Sequence, residues 1–328
     1  MNNMKILGTG RSLPEKVLTN CDLEKMVETS DEWITTRTGI KERRIADEHT
    51  ATSDLSTEAA EKAMQAAGIS AEALDCIMVA TVTPDMAFPS TACIVQKNIE
   101  AFNACAFDLE AACTGFLYGL VIADQFVKSG TYKHILVIGA ETLSKITDWE
   151  DRSTCVLFGD GAGAAVLGPT SAPDRGLVAY DLGADGTKGE LLMQPAGGSR
   201  KPTCQETLDH KGHYIKMQGN EVFKFAVKVI GDTAEKSLAQ IQKKADDVDL
   251  FIPHQANHRI ISAALNRLGF TWEKTYVNVD RFGNMSAASI PVALDEALEK
   301  SLIQSGNLIA LVGFGGGLTW GSCIFRWP

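Results

Sequence analysis

Three residues of this 328-residue chain have the type and setting for covalent acyl chemistry. Cys113 stands in AACTGFLYGL, where a helical pattern begins. Free backbone N–H groups and the helix dipole at such a start stabilise a thiolate and can lower its pKa, and a thiolate attacks a thioester or other acyl carbon. His254, in FIPHQANHRI, directly follows a short apolar run. An imidazole there can serve as base, hydrogen-bond donor or metal ligand. Asn284, in RFGNMSAASIP, can polarise a carbonyl oxygen as a neutral donor. Each also has a plainer reading: a small core cysteine, a loop histidine bonded to backbone, an asparagine that caps a helix or forms a turn. In GFGGGLTWG three consecutive glycines let backbone N–H groups approach a ligand closely, as an oxyanion hole requires, or simply turn the chain.

Metal chemistry is poorly served. His258 follows His254 by four residues, but Gln255 occupies the place of the glutamate in HExxH. His210 and His213 have no carboxylate or cysteine at a familiar spacing, and the eight cysteines, at 21, 76, 93, 105, 113, 155, 204 and 323, form no CxxC pair. No metal site is expected.

The elements that must position these residues alternate between helix-like and strand-like patterns, which predicts an α/β fold with helix-covered sheets. Residues 54–67 read as an amphipathic helix stopped by Gly68, and Asp75 opens the buried strand CIMVAT. Residues 113–128 read as a second helix and 134–139 as a second strand. The plan then repeats. VKVIGDTAEKSLAQIQKKA leads to Asp249 and LFIP, and SAASIPVALDEALEKSLIQSG to NLIALVGFG, as CTGFLYGLVIADQFVKSG leads to HILVIGA. Thr83 precedes Cys113 by 30 residues, as His254 precedes Asn284. A duplication with a period of about 170 residues is predicted, its halves meeting near GPTSAPDRG, at 1–172 and 173–328. It would set Cys113, His254 and Asn284 at corresponding strand ends or helix starts, where open α/β sheets gather ligands. FGDGAGAAVLG, between two strand-like runs, reads as a tight hairpin or bulge rather than a phosphate cradle.

The charge balance is acidic, 31 basic against 41 acidic side chains, a net −10. That disfavours nucleic-acid binding. The N-terminal stretch has no signal-peptide run and no segment is apolar enough to insert in a membrane, so a reduced, cytoplasmic protein is expected. Against this background Arg37, Lys41, Arg43 and Arg44 follow Trp33, a combination suited to adenine and phosphates or to a solvated face. Lys224, Lys228, Arg259 and Arg267 form a smaller basic group. An acidic carrier would need such patches.

The stretches TSDEWITTRTGIKERR, AACTGF, DRSTCVLFGDGAGAAVL, GNEVFKFAV, PHQANHRII, RFGNMSAASIP and GFGGGLTWG, in order from residue 29 to 321, closely resemble the β-ketoacyl-acyl-carrier-protein synthase III family, the initiating condensing enzymes of bacterial type II fatty-acid synthesis. The resemblance implies a thiolase fold, two βαβαβαββ halves in five αβαβα layers, in a homodimer. It implies that Cys113 accepts the acyl group, that His254 and Asn284 are its partners, and that the N–H groups of Cys113 and Gly316 form the oxyanion hole. Trp33, Arg37 and Arg152 match coenzyme A contacts, with Asn220 and Asn257 near the same pocket. Lys224, Arg259 and Arg267 match a carrier-docking region. Phe88, which would cross the dimer interface, and Phe314 match the acyl pocket. Phe282 and Met285 depart from the family pattern, in which smaller or more polar residues are commoner. The implied substrates are a short acyl-CoA and malonyl-acyl-carrier protein, without a cofactor. Rival readings are a polyketide or quinolone condensing enzyme of the same fold, a degradative thiolase, whose second cysteine GFGGGLTWG lacks, and a Cys-His-Asn thiol hydrolase.

Overall fold

The computed structural model describes residues 3–328. One sheet is built from β1 (Asn3–Ser12), β2 (Cys76–Ala80), β3 (Cys105–Leu109), β4 (Ile135–Thr142) and β5 (Asp160–Thr170), in the order β1-β5-β4-β2-β3. β2 lies parallel to β3 and β4, while β5 runs antiparallel to β4 and β1. The other sheet holds β6 (Gly176–Ala184), β7 (Leu250–Pro253), β8 (Leu308–Gly315) and β9 (Thr319–Arg326), in the order β7-β8-β9-β6. β7 lies parallel to β8, and β9 is antiparallel to both its neighbours. The second sheet therefore repeats the first, except that the counterpart of β3 shrinks to one bridge, Phe251 with Thr275.

Strand alternation explains the layering, because successive side chains of a buried strand face opposite sides. Cys76 and Met78 of β2, and Ile309 and Leu311 of β8, face a shared central core. Phe116, Leu117 and Leu120 of α4 (Gly115–Ser129) and Ile290, Ala293 and Leu294 of α7 (Ser289–Glu299) fill that core between the sheets. Ile77 and Val79 face outward onto α2 (Thr52–Ala67) and α3 (Thr91–Asn98). Ala310 and Val312 face outward onto α5 (Gly219–Gln240) and α6 (His258–Leu268). The result is the five-layer αβαβα arrangement of the thiolase fold. α1 (Asp31–Thr38) lies outside it, against the start of α6.

Strand register sharpens the internal repeat. Cys76 pairs with Ile135 and Leu250 with Ile309, and Asp75 and Asp249 donate N–H bonds of 2.9 Å to His134 and Leu308. Both central helices begin with a 3-10 turn, Ala112–Thr114 and Ser286–Ala288. Each turn opens on a non-glycine residue in the left-handed region, Ala112 at φ 45° and Ser286 at φ 44°. The repeat thus matches Ala112 with Ser286 and Cys113 with Ala287, not Cys113 with Asn284. Equal 30-residue spacings had suggested the wrong partner because Thr83 lies beyond the end of its strand while His254 directly follows its own.

FGDGAGAAVLG is not a hairpin. Residues 160–170 run as one strand, and CVLF before it belongs to a short helix and turn. Its glycines admit close neighbours: a Cβ on Gly163 would come within 2.7 Å of the Val292 nitrogen of α7, and one on Gly161 within 2.7 Å of the Met285 sulfur. Phe282 and Met285 are buried with Ala288 and Val292 and do not line the Cys113 cavity.

Candidate active site

Cys113 sits in the turn that starts α4 and is 8% exposed. It opens into a cavity of about 980 Å³, lined among others by Val82, Leu143, Phe158, Leu192, Ile215 and Gly316. The glycine-rich turn after β8 lies against it. A Cβ on Gly315 would come within 2.7 Å of the Cys113 nitrogen, so glycine is needed for that approach. Thr319 ties the two turns together, its hydroxyl lying 3.0 Å from both Ala111 O and Gly316 O and receiving a bond from the Thr114 hydroxyl. Gly315→Ala should therefore displace the glycine turn, and with it the Gly316 N–H that the resemblance makes an oxyanion donor, slowing acylation of Cys113 about 10²-fold. Single-turnover acylation read by mass checks this, with circular dichroism to show an intact fold.

His254 follows β7, its N–H bonded to Val312 O at 2.7 Å and its ring edge-on to Phe314, centroids 5.6 Å apart. It is 1% exposed, and neither ring nitrogen has a hydrogen-bond partner. Burial alone pushes its pKa down to about 3, so the imidazole is neutral. Asn284 is also buried. Its backbone is held by Leu157 O at 2.9 Å and by Gly159 N at 3.0 Å, and its Oδ1 accepts the Ser286 N–H at 2.8 Å. With the oxygen engaged, the amide NH₂ is the end left to donate. The structure thus presents two neutral donors at element ends; neither lines the Cys113 cavity, but Asn284 is bonded to Ser286, which does.

The expected lowering of the thiol pKa meets a stronger opposing effect: burial pushes Cys113 up to about 12. Glu141, at the end of β4, is fully buried and pushed up to about 7 by burial. It accepts bonds from the hydroxyls of Thr81 and Thr83, at 3.2 and 2.6 Å, and from the Val82 N–H. Neither Glu141 nor Ser286 was identified from sequence. A carboxylate inside the apolar run ILVIGAET was the available signal.

Other positions fall in two groups. Trp33 and Arg37 on α1 meet Arg152, the guanidiniums lying 5.9 Å (Arg37) and 4.9 Å (Arg152) from the indole centroid. Asn257 joins them, its Nδ2 donating to Arg37 O at 3.2 Å while its Oδ1 caps α6. Asn220 is exposed at the start of α5 and does not line the Cys113 cavity. Lys224 pairs with Glu221, and Arg259 lies over Phe223. Arg267, eight residues further along α6 and so about 12 Å away, pairs instead with Asp232. Phe314 does not line the Cys113 cavity: it packs in the outer core with Val312 and Phe251, its ring edge-on to His254. Phe88 is 83% exposed beside the cavity rim at Met86 and Ala87. Arg43, read with the ligand-facing basic run, is fully buried and donates to Leu18 O, Asn20 Oδ1 and Val156 O. It braces the loop that holds Asn284. No group of three metal-ligating side chains occurs among the described residues.

A cysteine at a helix start, two neutral buried donors and a glycine turn, carried by a duplicated five-layer fold, define a thiolase-fold condensing enzyme. Family models described as 3-oxoacyl-[acyl-carrier-protein (ACP)] synthase III and its C-terminal part match residues 107–186 and 238–327. The chain is 70% identical over 329 residues to the β-ketoacyl-[acyl-carrier-protein] synthase III of Natranaerobius thermophilus, covering 100% of each. It is 60% identical to that of Caldanaerobacter subterraneus, covering 98% of this chain and 97% of the relative. The crystal structure of 3-oxoacyl-[acyl-carrier-protein] synthase III from Aquifex aeolicus superposes with a TM-score of 0.92 at 50% identity, covering 99% of this chain and 100% of that one. The chain belongs to the 3-oxoacyl-[acyl-carrier-protein] synthase III family. As a member it is an acyltransferase, and the condensation that initiates fatty-acid synthesis is its reaction.

Proposed function

We propose that Cys113 takes a short acyl group, acetyl first among them, from acyl-CoA, its oxyanion held by the N–H groups of Cys113 and Gly316. CoA leaves and malonyl-acyl-carrier protein enters. His254 and Asn284 donate hydrogen bonds to the malonyl thioester oxygen and stabilise the enolate formed as carbon dioxide departs. The carbanion attacks the acyl-cysteine, releasing β-ketoacyl-carrier protein and the free thiol. These steps use amino-acid side chains and backbone donors, with acyl-CoA as a substrate and no cofactor.

The observation that carries this reading is the neutral, unpartnered imidazole of His254. A donor without charge suits a site where negative charge develops on a thioester oxygen. A thiol hydrolase would need the same ring as a base toward water, and a group held down to about 3 is a poor one. Turnover of acetyl-CoA with malonyl-carrier protein, read by product mass, tests it: a β-ketoacyl-carrier product supports condensation, and free acetate alone would overturn it. A panel of longer and branched acyl-CoAs in the same assay identifies the primer.

The Arg37–Trp33–Arg152 sandwich is read as the seat of the CoA adenine and phosphates, with Asn257 and Asn220 beside the approach. Trp33→Ala should raise KM for acetyl-CoA about tenfold, the loss of one stacked cation–π surface, and leave kcat within about twofold. Steady-state kinetics at fixed carrier concentration measure this. Lys224 and Arg259 are read as the carrier-docking surface of a protein whose net charge of −10 repels an acidic partner; Arg267, neutralised by Asp232, is its weakest member. Carrier affinity then falls with salt. The exposed Phe88 supports a homodimer in which each copy closes the other's acyl cavity, and the free thiols suit the cytoplasm. Residues 1–172 and 173–328 are read as the two thiolase-like halves. No helix among the described residues is long and apolar enough to cross a membrane.

A further inference from the structure

The proposed chemistry leaves one proton without a destination. Cys113 begins as a buried thiol, and the sulfur must lose its hydrogen as it bonds to the acyl carbon. His254, the usual recipient in such sites, is too weak a base to take it. Ser286 is 3% exposed, its hydroxyl has no hydrogen-bond partner, and it lines the same cavity as Cys113. Its backbone is fixed by Asn284 Oδ1. The turn that Ser286 opens packs on β4 two residues before Glu141, where a Cβ on Gly139 would collide with Ala287 O.

We propose that Glu141, acting through the Ser286 hydroxyl, receives the Cys113 proton during acyl transfer. The inference rests on Cys113 being the acyl acceptor. As the Sγ–acyl bond forms, the Sγ–H bond breaks and its proton passes to Ser286 Oγ, whose own proton passes to Glu141. The acyl–sulfur bond of acyl-CoA breaks, and the departing CoA thiolate is protonated as Glu141 returns to its carboxylate. Acyl-CoA and thiol become acyl-cysteine and CoA thiol, with nothing oxidised or reduced. Glu141 does not touch the acyl group; it is a positioning residue whose effect reaches sulfur through Ser286.

The electrostatics favour this route. Ionising a lone buried thiol creates a charge in a site that resists one. Moving an existing negative charge from Glu141 to Cys113 keeps the total unchanged. Glu141, at about 7, is poised to hold or release a proton at neutral pH. The other titratable groups around it are already committed. Asp160, on the neighbouring β5, is bound by Ala46 N and by Ser144, and Glu110, before the nucleophile turn, accepts the Ala112 N–H. Among the described residues no lysine or arginine bonds to Glu141.

Single-turnover acetylation of Cys113 by acetyl-CoA, followed by mass from pH 5 to 10, is the test, with acetyl-CoA affinity measured alongside. In the native protein the rate should rise with pH through about 7, since the ionised carboxylate is the active form. Glu141→Gln and Ser286→Ala should each lower the rate at pH 7 about 10²-fold, the scale of general-base assistance, and remove that limb. Variants that bind acetyl-CoA normally and keep both the native rate and the limb near 7 would overturn the proposal. Should Glu141→Gln fail to fold, Ser286→Ala decides alone, because it leaves the Thr81, Val82 and Thr83 contacts of Glu141 in place. Absence of any adduct in the native protein would overturn the acyl-acceptor reading and this inference with it.

Discussion

Cys113→Ala should form no covalent adduct with acetyl-CoA and should lose at least about 10⁴-fold in kcat for condensation, the scale seen when a nucleophile is deleted. The substitution removes only Sγ. Alanine already occupies the matching place in the second copy of this turn, as Ala287, so the turn itself tolerates it. The variant should fold with a melting temperature within a few degrees of the parent. The malonyl half-reaction is a separate matter, because the donors assigned to it stand on other elements: His254 after β7 and Asn284 ahead of α7. Carbon dioxide release from malonyl-carrier protein should therefore survive in Cys113→Ala. Intact-protein mass after acetyl-CoA treatment, with a carbon dioxide assay on the same sample, separates the two halves. A condensation rate within tenfold of the parent would refute the role given to Cys113.

His254→Ala should do the reverse. Acetylation of Cys113 should proceed near the parent rate, while decarboxylation should fall about 10²- to 10³-fold, the scale of one lost donor to a developing oxyanion. Full decarboxylation in this variant would refute the assignment. A pH signature accompanies it. Because burial holds the ring at about 3, the donor stays neutral at working pH, and decarboxylation should show no histidine limb between about pH 5 and 8. The same shift has a sign for stability. The folded pKa lies below the ordinary 6.5, so the unfolded chain binds the extra proton first. The stabilisation is complete above about 6.5 and is lost as pH falls toward about 3, in total on the order of 5 kcal/mol. Urea midpoints measured at pH 7 and pH 4 should fall less steeply in His254→Ala than in the parent.

Much of this was legible in the chain, for identifiable reasons. Buried strands such as CIMVAT and HILVIGA carry long apolar runs, and Gly68 stops its helix with φ 64°, so element type and order could be read. Cys113 and His254 stand at element ends, where sequence patterns change visibly. Close packing was less legible. Gly161 and Gly163 look like turn residues because a glycine that admits a close neighbour and one that reverses the chain are identical in sequence. Arg43 looked like part of an exposed basic run, since nothing local announces that Asn20 and two carbonyls wait for it inside. Resemblance sets Phe314 in the acyl pocket, but strand parity turns it into the outer core instead. Glu141 was passed over because its importance comes from Thr81, Thr83 and Ser286, two of them in another strand end and the third in the other half of the chain.

The two copies of the helix-start turn have divided their chemistry, sulfur on one and hydroxyl and amide on the other. The strands of the first sheet end at Thr170 and those of the second begin at Gly176. A chain severed between them would yield one fragment with the thiol and Glu141, and another with His254, Asn284, Ser286 and Gly316. Neither fragment alone could turn over. Any recovered rate would then be second order in fragment concentration, a kinetic record of what a single covalent connection contributes by making the encounter of the two halves intramolecular.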